Sequence, residues 1–419
     1  MRKRKVPFSL VLCGLLGMAA FATPGPAATV GPVSDPIGVV QIGPGQPIVI
    51  ATWLVTSGPN AALGTDSQRG VEIAIDDQGG KLLGHPIKLE ANDDGCSAEG
   101  GQTAAQKIAA DPSVVAAIGS SCSSAAVPGV PILWKAGIVD VSPSATAPPL
   151  TAPDRSHDYD GFLRTAHNDK TQGQVAATFA RQVLKKSRAA TIHDGSPYAQ
   201  GLAAAFADNF KRMGGTITSQ EAISVGDTDM KPVLTRIATG KPDMIFYPIF
   251  VAEGGLITRQ AKEVPGLQSV TLFGADGLFS PDFLKAAGDA ARGMYWSSPD
   301  LTPQTLGPAY SAVFLPKYEK KYGEKPTAAF HPHSYDAANM IFAAIKKVAK
   351  TQGGTLYIGR KALRDALFAT KGFKGLTGTV TCNPYGDCAD PHIAVYTAVS
   401  ADPSKFVPGV DPKKVYPTK

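Results

Sequence analysis

Continuous apolar segments alternate with amphipathic segments along most of the chain. The predicted strands of the first half are PIVIATWLV (47–55), HPIKLEAND (85–93), SVVAAIGS (113–120) and GIVDVSP (137–143). Helical patterns follow the first three of them. Strands that are apolar along their length, rather than at every second residue, are typical of parallel sheets covered on both faces. The pattern therefore predicts a doubly wound α/β unit.

A second series of the same kind begins after residue 165. Its predicted strands are AATIHD (189–194), PDMIFYPIF (242–250) and SVTLFGAD (269–276), and each precedes a helical pattern. Two long helical stretches, 333–350 and 358–370, and a β-rich tail complete the chain. Two α/β units in sequence predict two doubly wound, Rossmann-like domains. In such sheets ligands bind beyond the carboxyl ends of the strands, where helices begin.

The N-terminus has the pattern of a secretory signal peptide. A basic segment, MRKRK, precedes the apolar segment FSLVLCGLLGMAAFA. We place the signal peptide at residues 1–22, with cleavage after Ala22 or, as the alternative, after Ala28. Residues 23–46 are rich in proline and glycine and are predicted to be a tail. The pattern predicts an exported protein.

Export changes the charge balance of the chain. The net charge is +6, but Arg2, Lys3, Arg4 and Lys5 leave with the signal peptide, and the mature chain then carries +2. No later segment is a block of basic residues. These observations argue against nucleic acid as a partner.

Four cysteines remain once Cys13 is removed with the signal peptide. An even number of cysteines in an exported protein indicates two disulfides. Cys382 and Cys388 flank NPYGD, a typical hairpin tip, and are predicted to pair, which leaves Cys96 to pair with Cys122. A zinc site is the alternative, but the spacing lacks the usual close pairs of ligands.

The motifs of common enzyme classes are absent from the sequence. The segment GSSC (119–122) has no closing glycine and is not a nucleophile elbow, and neither a phosphate loop nor a zinc-protease motif occurs. The segment HPH (331–333) is more typical of a helix start than of a metal site. Asp93 and Asp94 are adjacent on a strand and so face opposite ways. We therefore predict ligand binding without catalysis, and neither a metal nor a cofactor.

An ordered set of motifs between residues 47 and about 400 resembles one known family. The chain resembles the periplasmic solute-binding proteins of branched-chain amino acid ABC transporters, the type I periplasmic binding proteins. The motifs that carry the resemblance are TSGPNAALG, RGVEIAIDDQGG, DDGC, IGSSCSSAAVPG, SPSATAPPLT, IHDGSPYAQGLAAAF, GDTDM, RQAKEV, GADGLFSPDF, AGDAARGMYW and SYDAANMIFAAI.

The resemblance implies two lobes joined by three chain crossings, which close on one small ligand. Mapped onto this chain, lobe one comprises residues 47–165 and 299–371, and lobe two comprises residues 166–298 and 372–419. It also implies a partner, a membrane permease of an ABC transporter, and a monomeric binding protein that delivers an amino acid to it.

The resemblance assigns ligand-binding roles to lobe-one residues. Ser123, at a helix start, matches the serine that receives the ligand carboxylate. Ser144 and Thr146 match the loop that holds the α-amino and carboxylate groups. The alternatives for these residues are a simple helix N-cap for Ser123 and ordinary turn positions for the other two.

In lobe two, Tyr198 matches the tyrosine that reaches the ligand after closure, and Asp276 matches the acid that balances the α-ammonium. A core aromatic and a turn residue are the alternatives. Phe250 stands where the family often has tyrosine, so the hydroxyl is lost, although a phenyl face still attracts an ammonium. The remaining positions that the resemblance places along the side-chain pocket are Leu63, Ser121 and Phe330.

Other function classes remain open at this level. The same fold serves sensory or regulatory ligand-binding proteins, and members of the family also bind amides, urea and aromatic acids. A secreted hydrolase is the third class. The signal peptide and the absence of a further domain pattern favour transport of a branched-chain or similar apolar amino acid.

Overall fold

The structure is a computed structural model that describes residues 28–418. The predicted signal peptide, its cleavage site at Ala22 and Cys13 lie outside the described residues. Within residues 28–418, no helix combines the length and the apolar character that a membrane crossing requires.

Lobe one is built on a six-stranded sheet in the order β5-β6-β4-β7-β8-β9, parallel except for β5. Every residue of the central strand, Ile48–Leu54, is buried, as expected for a parallel strand covered on both faces. The strands are β4 (Ile48–Leu54), β5 (Lys81–Leu82), β6 (His85–Asp93), β7 (Val114–Gly119), β8 (Val139–Ser142) and β9 (Phe162–Arg164).

Helices cover both faces of this sheet. One face packs against α1 and α11, and the other packs against α2 and α3. Three further helices complete the lobe. Their bounds are α1 (Ala61–Asp77), α2 (Ala98–Ala110), α3 (Ser123–Lys135), α9 (Pro303–Pro308), α10 (Leu315–Tyr322), α11 (His331–Val348) and α12 (Arg360–Phe368).

The N-terminal segment differs from the predicted tail. Three strands, β1 (Ala28–Val30), β2 (Val33–Asp35) and β3 (Val39–Ile42), lie within residues 23–46. Strand β3 joins a small antiparallel sheet with β15 (Lys350–Gln352) and β16 (Thr355–Gly359). Val40 and Ile42 are buried in the core of lobe one. The prolines and glycines of this segment lie between short strands, so the amino-acid composition alone did not predict the strands.

Lobe two is built on a seven-stranded sheet in the order β11-β10-β12-β13-β14-β19-β20. The first five strands are parallel and the last two are antiparallel to their neighbours. The strands are β10 (Arg188–His193), β11 (Thr216–Ala222), β12 (Met244–Phe246), β13 (Thr271–Gly274), β14 (Tyr295–Pro299), β19 (Ile393–Thr397) and β20 (Lys413–Tyr416).

The helices of lobe two and its sheet share one hydrophobic core, rich in aromatic side chains. The helices are α4 (Asp169–Thr178), α5 (Pro197–Arg212), α6 (Lys231–Thr239), α7 (Val251–Ala261) and α8 (Pro281–Ala287). Helices α4 and α5 pack together, as do α7 and α8. The predicted two doubly wound lobes are confirmed.

The chain crosses between the lobes three times, after β9, after β14 and before β19. The third crossing lies later in the chain than the predicted boundary at residue 372. Strands β17 (Phe373–Gly375) and β18 (Gly378–Val380) form a hairpin whose following residues belong to lobe one, since Val380, Cys382 and Cys388 are buried in its core. The chain enters the sheet of lobe two at Ile393.

Candidate functional site

A narrow cavity lies between the two lobes. Lobe one contributes the start of α3 and two apolar side chains, and lobe two contributes polar and aromatic side chains that follow β10, β12 and β13. Its lining residues are Leu63, Ser121, Cys122, Ser123, Ser144, Tyr198, Phe250, Asp276, Gly277 and Phe330. The structure therefore brings eight of the nine predicted site residues to this cavity, and the ninth, Thr146, is not among its lining residues.

The loop between β7 and α3 is fixed from several sides. Asp94 accepts the N–H groups of Cys96 at 2.8 Å and Ser121 at 3.0 Å, and the hydroxyl of Ser121 accepts the N–H of Val55 at 3.1 Å. The Cys96–Cys122 disulfide closes the same region, as predicted. Burial raises the pKa of Asp94 to about 7, although its two N–H donors oppose the shift. This loop is thus a rigid wall of the cavity.

Ser123 is the first residue of α3 and is almost fully buried. Its hydroxyl accepts the N–H of Ala147 at 3.1 Å, so it connects the helix to the SPSAT loop and does not cap its own helix. The N-terminus of a helix favours negative charge because its first N–H groups lack partners within the helix. The cavity wall at Ser123 therefore favours a carboxylate.

The SPSAT loop rests on the same wall through serine hydroxyls. Ser142 donates to the carbonyl of Ser120 at 2.8 Å, and Ser144 donates to the carbonyl of Ser121 at 2.9 Å. The hydroxyl of Thr146 is buried close to the carboxylate of Asp169, whose charged form it favours.

Lobe two places a connected polar cluster opposite this wall. Asp276 accepts hydrogen bonds from the amide of Gln172 at 2.5 Å and from the hydroxyl of Tyr198 at 3.3 Å. The same amide donates to the carbonyl of Ser297 at 3.1 Å, and its oxygen lies 2.6 Å from Nε2 of His167. Because that amide oxygen accepts, His167 carries its proton on Nε2. This chain of contacts holds the Asp276 carboxylate in one orientation.

Asp276 is buried, and its carboxylate forms part of the cavity wall. Burial raises its pKa, while His167, Gln172 and Tyr198 favour the charged form. The next residue must be glycine, because a Cβ on Gly277 would lie 2.8 Å from the carbonyl oxygen of Ile249. A cation seated beside Asp276 would relieve the cost of burying this carboxylate.

Apolar side chains complete the cavity. The rings of Phe250 and Tyr198 lie 5.3 Å apart, and Phe330 stacks against His167 at 6.1 Å. Leu63, from α1 in lobe one, packs against the core of lobe two. Phe250 also lines the wider cleft outside the cavity, so its ring separates the two spaces.

Sequence reasoning missed three residues of this cluster: His167, Asp169 and Gln172. All three belong to HNDKTQG, the segment that follows β9 at the first crossing. A polar segment between a strand and a helix was a usable signal, as it was for the SSCSS segment. Within residues 28–418, no group of three histidine, cysteine or acidic side chains is placed to hold a metal ion.

Two lobes that supply polar groups and apolar walls to one cavity between them define a class of protein, the two-lobed small-molecule-binding protein. The family described as "Periplasmic binding protein" matches residues 47–396. The chain belongs to this family, whose members bind substrates and are not enzymes.

Named relatives agree with this assignment. The chain is 30% identical over 352 residues to the Leu/Ile/Val-binding protein BraC3 of Rhizobium johnstonii, covering 83% of this chain and 91% of that protein. Its fold is similar to the leucine-binding protein LivK of Thermotoga maritima, with a TM-score of 0.75, 25% identity, and coverage of 84% and 96%. The branched-chain amino acid transporter substrate-binding protein LivJ of Streptococcus pneumoniae, solved with isoleucine, has a TM-score of 0.74, 25% identity, and coverage of 85% and 97%.

Proposed function

We propose that this protein is the extracytoplasmic substrate-binding component of an ABC importer. It binds a branched-chain or similar apolar amino acid between its lobes, closes around it and delivers it to a membrane permease. The similarity to proteins named for leucine, isoleucine and valine supports this ligand class. We place the mature protein in the periplasm as a monomer.

One observation carries the proposal: Ser123 and Asp276 line the same cavity from opposite lobes. A zwitterion removed from water needs hydrogen-bond donors at its carboxylate and a negative charge at its ammonium. The start of α3 supplies the first, and Asp276 supplies the second. Leu63, Phe250 and Phe330 supply an apolar wall for the side chain.

A ligand screen tests the ligand class. Thermal unfolding of the mature protein is measured with L-leucine, L-isoleucine, L-valine, urea, short amides and benzoate. A ligand at 100 times its Kd stabilises the folded state by about 2.7 kcal/mol. We expect stabilisation by the apolar amino acids. If only benzoate or the amides stabilise the protein, the proposed ligand class is wrong.

The Asp276→Asn variant then tests the proposed contact, because it keeps the size of the side chain and removes its charge. Calorimetry should show that the affinity for L-leucine falls roughly 30-fold or more, because the buried ammonium of the ligand would lose its partner charge. Binding of 4-methylpentanoate, the same molecule without the amino group, should change much less. Equal L-leucine binding by the variant and the parent would contradict the amino acid assignment.

A further inference from the structure

The two oxygens of the Asp276 carboxylate differ in their surroundings. Oδ1 accepts the amide N–H of Gln172 at 2.5 Å and the hydroxyl of Tyr198 at 3.3 Å. Within residues 28–418, no residue besides Asp276 itself donates a hydrogen bond to Oδ2, and protein atoms do not fully enclose this oxygen. Asp276 also lines the cavity between the lobes. The protein therefore holds one oxygen of the acid, and the second is available to a ligand.

Gln172 makes the shorter of the two contacts and is itself fixed through its whole amide group. Its side chain, near the start of α4, is fully buried. Nε2 also donates to the carbonyl oxygen of Ser297 at 3.1 Å, and Oε1 accepts from Nε2 of His167 at 2.6 Å. The reversed amide would place Oε1 against the Asp276 carboxylate, where neither oxygen could donate. The amide therefore keeps its N–H on Oδ1.

The partners of Gln172 lie on the segments that join the lobes. His167 belongs to the first crossing, and Phe330 of lobe one stacks against its ring at 6.1 Å. Ser297 lies on β14, which leads into the second crossing. Gln172 is not among the lining residues of the cavity. It therefore anchors Asp276 to these segments from outside the cavity.

We propose that Gln172 is a positioning residue that holds Oδ1 of Asp276 so that Oδ2 meets the ligand's ammonium group, and that it thereby sets the preference for amino acids over plain carboxylic acids. The inference rests on the proposed function. A carboxylate that turned freely would have to be ordered when the ligand binds, and a group held in advance avoids that cost. A plain carboxylic acid has no ammonium and gains nothing from this orientation.

The test compares L-leucine with 4-methylpentanoate by calorimetry in the parent and in Gln172→Met. Methionine is also unbranched but donates no hydrogen bond. We expect the affinity for L-leucine to fall roughly 10-fold or more, because a hydrogen bond to a charged group is lost. The affinity for 4-methylpentanoate should change much less. The ratio of the two affinities is the readout, because a merely structural role would weaken both ligands alike.

Gln174→Met is the matched control, because Gln174 lies on the same helix and its side chain is exposed. This variant should leave both affinities unchanged. If Gln172→Met fails to fold, Gln172→Asn takes its place in the same comparison. Its amide is one methylene group shorter and is too short to keep the contacts with His167 and Asp276 together, so the same fall in the affinity ratio is expected.

The affinity ratio should also depend on pH in the variant. Burial raises the pKa of Asp276, whereas the amide of Gln172 favours its charged form. The titratable groups around this acid are His167 at the first crossing, Asp169 on α4 and Tyr198 on α5. Burial lowers the pKa of His167 and raises that of Tyr198, so both are uncharged at neutral pH. Without the Gln172 donor the pKa of Asp276 rises further, and acidification should abolish the preference for L-leucine at a higher pH than in the parent. Identical pH profiles of the ratio would contradict the proposal.

The outcomes separate this inference from the proposed function. An unchanged affinity ratio in the Gln172 variant, with a changed ratio in Asp276→Asn, overturns only the inference, as does weakening of both ligands by the same factor. Because Gln172 acts through Asp276, adding Gln172→Met to Asp276→Asn should not change the ratio further, and an additional loss also overturns the inference. A parent protein that binds 4-methylpentanoate or benzoate but no amino acid overturns both.

Discussion

Arg164 and Asp387 form an ion pair that connects the disulfide hairpin to the SPSAT loop. Nε of the fully buried Arg164 lies 2.6 Å from Oδ1 of Asp387, whose side chain is 28% exposed. Nη1 of the same guanidinium donates to the carbonyls of Ala145 and Ala147 at 3.0 Å. The hairpin closed by Cys382 and Cys388, far along the chain, therefore helps to position the loop that carries Thr146.

Replacing Asp387 by alanine should destabilise the protein and weaken ligand binding together. The variant leaves the buried Arg164 without its counter-charge, which costs roughly 2–4 kcal/mol, less than for a fully buried pair because Asp387 is partly exposed. Chemical denaturation and L-leucine calorimetry measure the two effects. Asp289→Ala, which breaks the exposed pair with Arg292, is the control and should cost less than about 1 kcal/mol. Equal stability of the two variants would contradict the role of the pair.

The two disulfides should contribute unequally to stability. Cys96 and Cys122 are separated by 26 positions, and Cys382 and Cys388 by 6. In the chain-entropy description, removing the first link costs about 3.5 kcal/mol and removing the second about 2 kcal/mol. Denaturation of the two double-serine variants under identical conditions checks the order. A larger loss for the short link would show that strain or residual structure, not loop length, governs the difference.

Phe250 should control affinity for the apolar part of the ligand. Phe250→Ala removes the ring between the cavity and the outer cleft, and burial of such a ring is worth about 1.5–3 kcal/mol. We expect L-leucine affinity to fall roughly 10- to 150-fold. Phe250→Tyr, which keeps the ring, should change affinity less than fivefold. A loss in the tyrosine variant as large as in the alanine variant would mean that the hydroxyl is excluded, not that the ring is needed.

His333 should make the protein sensitive to acid. Burial, together with His167 and His331 nearby, lowers its pKa to about 3 from the 6.5 of an exposed histidine. Between pH 6 and 4 the unfolded chain therefore binds more protons, and the free energy of unfolding falls by up to about 1.4 kcal/mol per pH unit from this group.

Denaturation of the parent and His333→Gln at several pH values tests this effect. The variant should lose stability less steeply than the parent between pH 6 and 4. His157→Gln is the control, because the side chain of His157 is 99% exposed in the folded protein and gains little exposure on unfolding. Identical slopes for the parent and His333→Gln would show that other groups carry the acid response.

Much of the fold follows from the sequence pattern because parallel strands are continuous apolar segments and each is followed by a helix. Strand HPIKLEAND spans residues 85–93 as predicted. The short strand β3 was missed because four residues give too little periodicity, and its burial depends on β16, which lies more than 300 residues away. The hairpin after residue 372 was assigned to lobe two, whereas it belongs to lobe one, because its burial also depends on residues far away in the sequence.

Some residues of the candidate site were likewise predictable from the sequence, and others were not. Ser123 and Asp276 follow strands at positions where ligands usually bind, so the pattern and the resemblance both pointed to them. Asp169 and Gln172 were missed because an acid and an amide in the first turn of a helix are ordinary surface residues. Only the burial of Asp169 and the contacts of Gln172 with Asp276 and Ser297 distinguish them from such residues.

The ends of the described chain lie on different lobes. Strand β3 near the N-terminus belongs to lobe one, and β20, which ends at Tyr416, is the edge strand of lobe two. A donor fluorophore attached before residue 28 and an acceptor attached after Tyr416 would therefore report rotation of one lobe against the other, with no dye placed in the cleft. The same geometry means that an immobilised N-terminus holds lobe one still while lobe two remains free to turn.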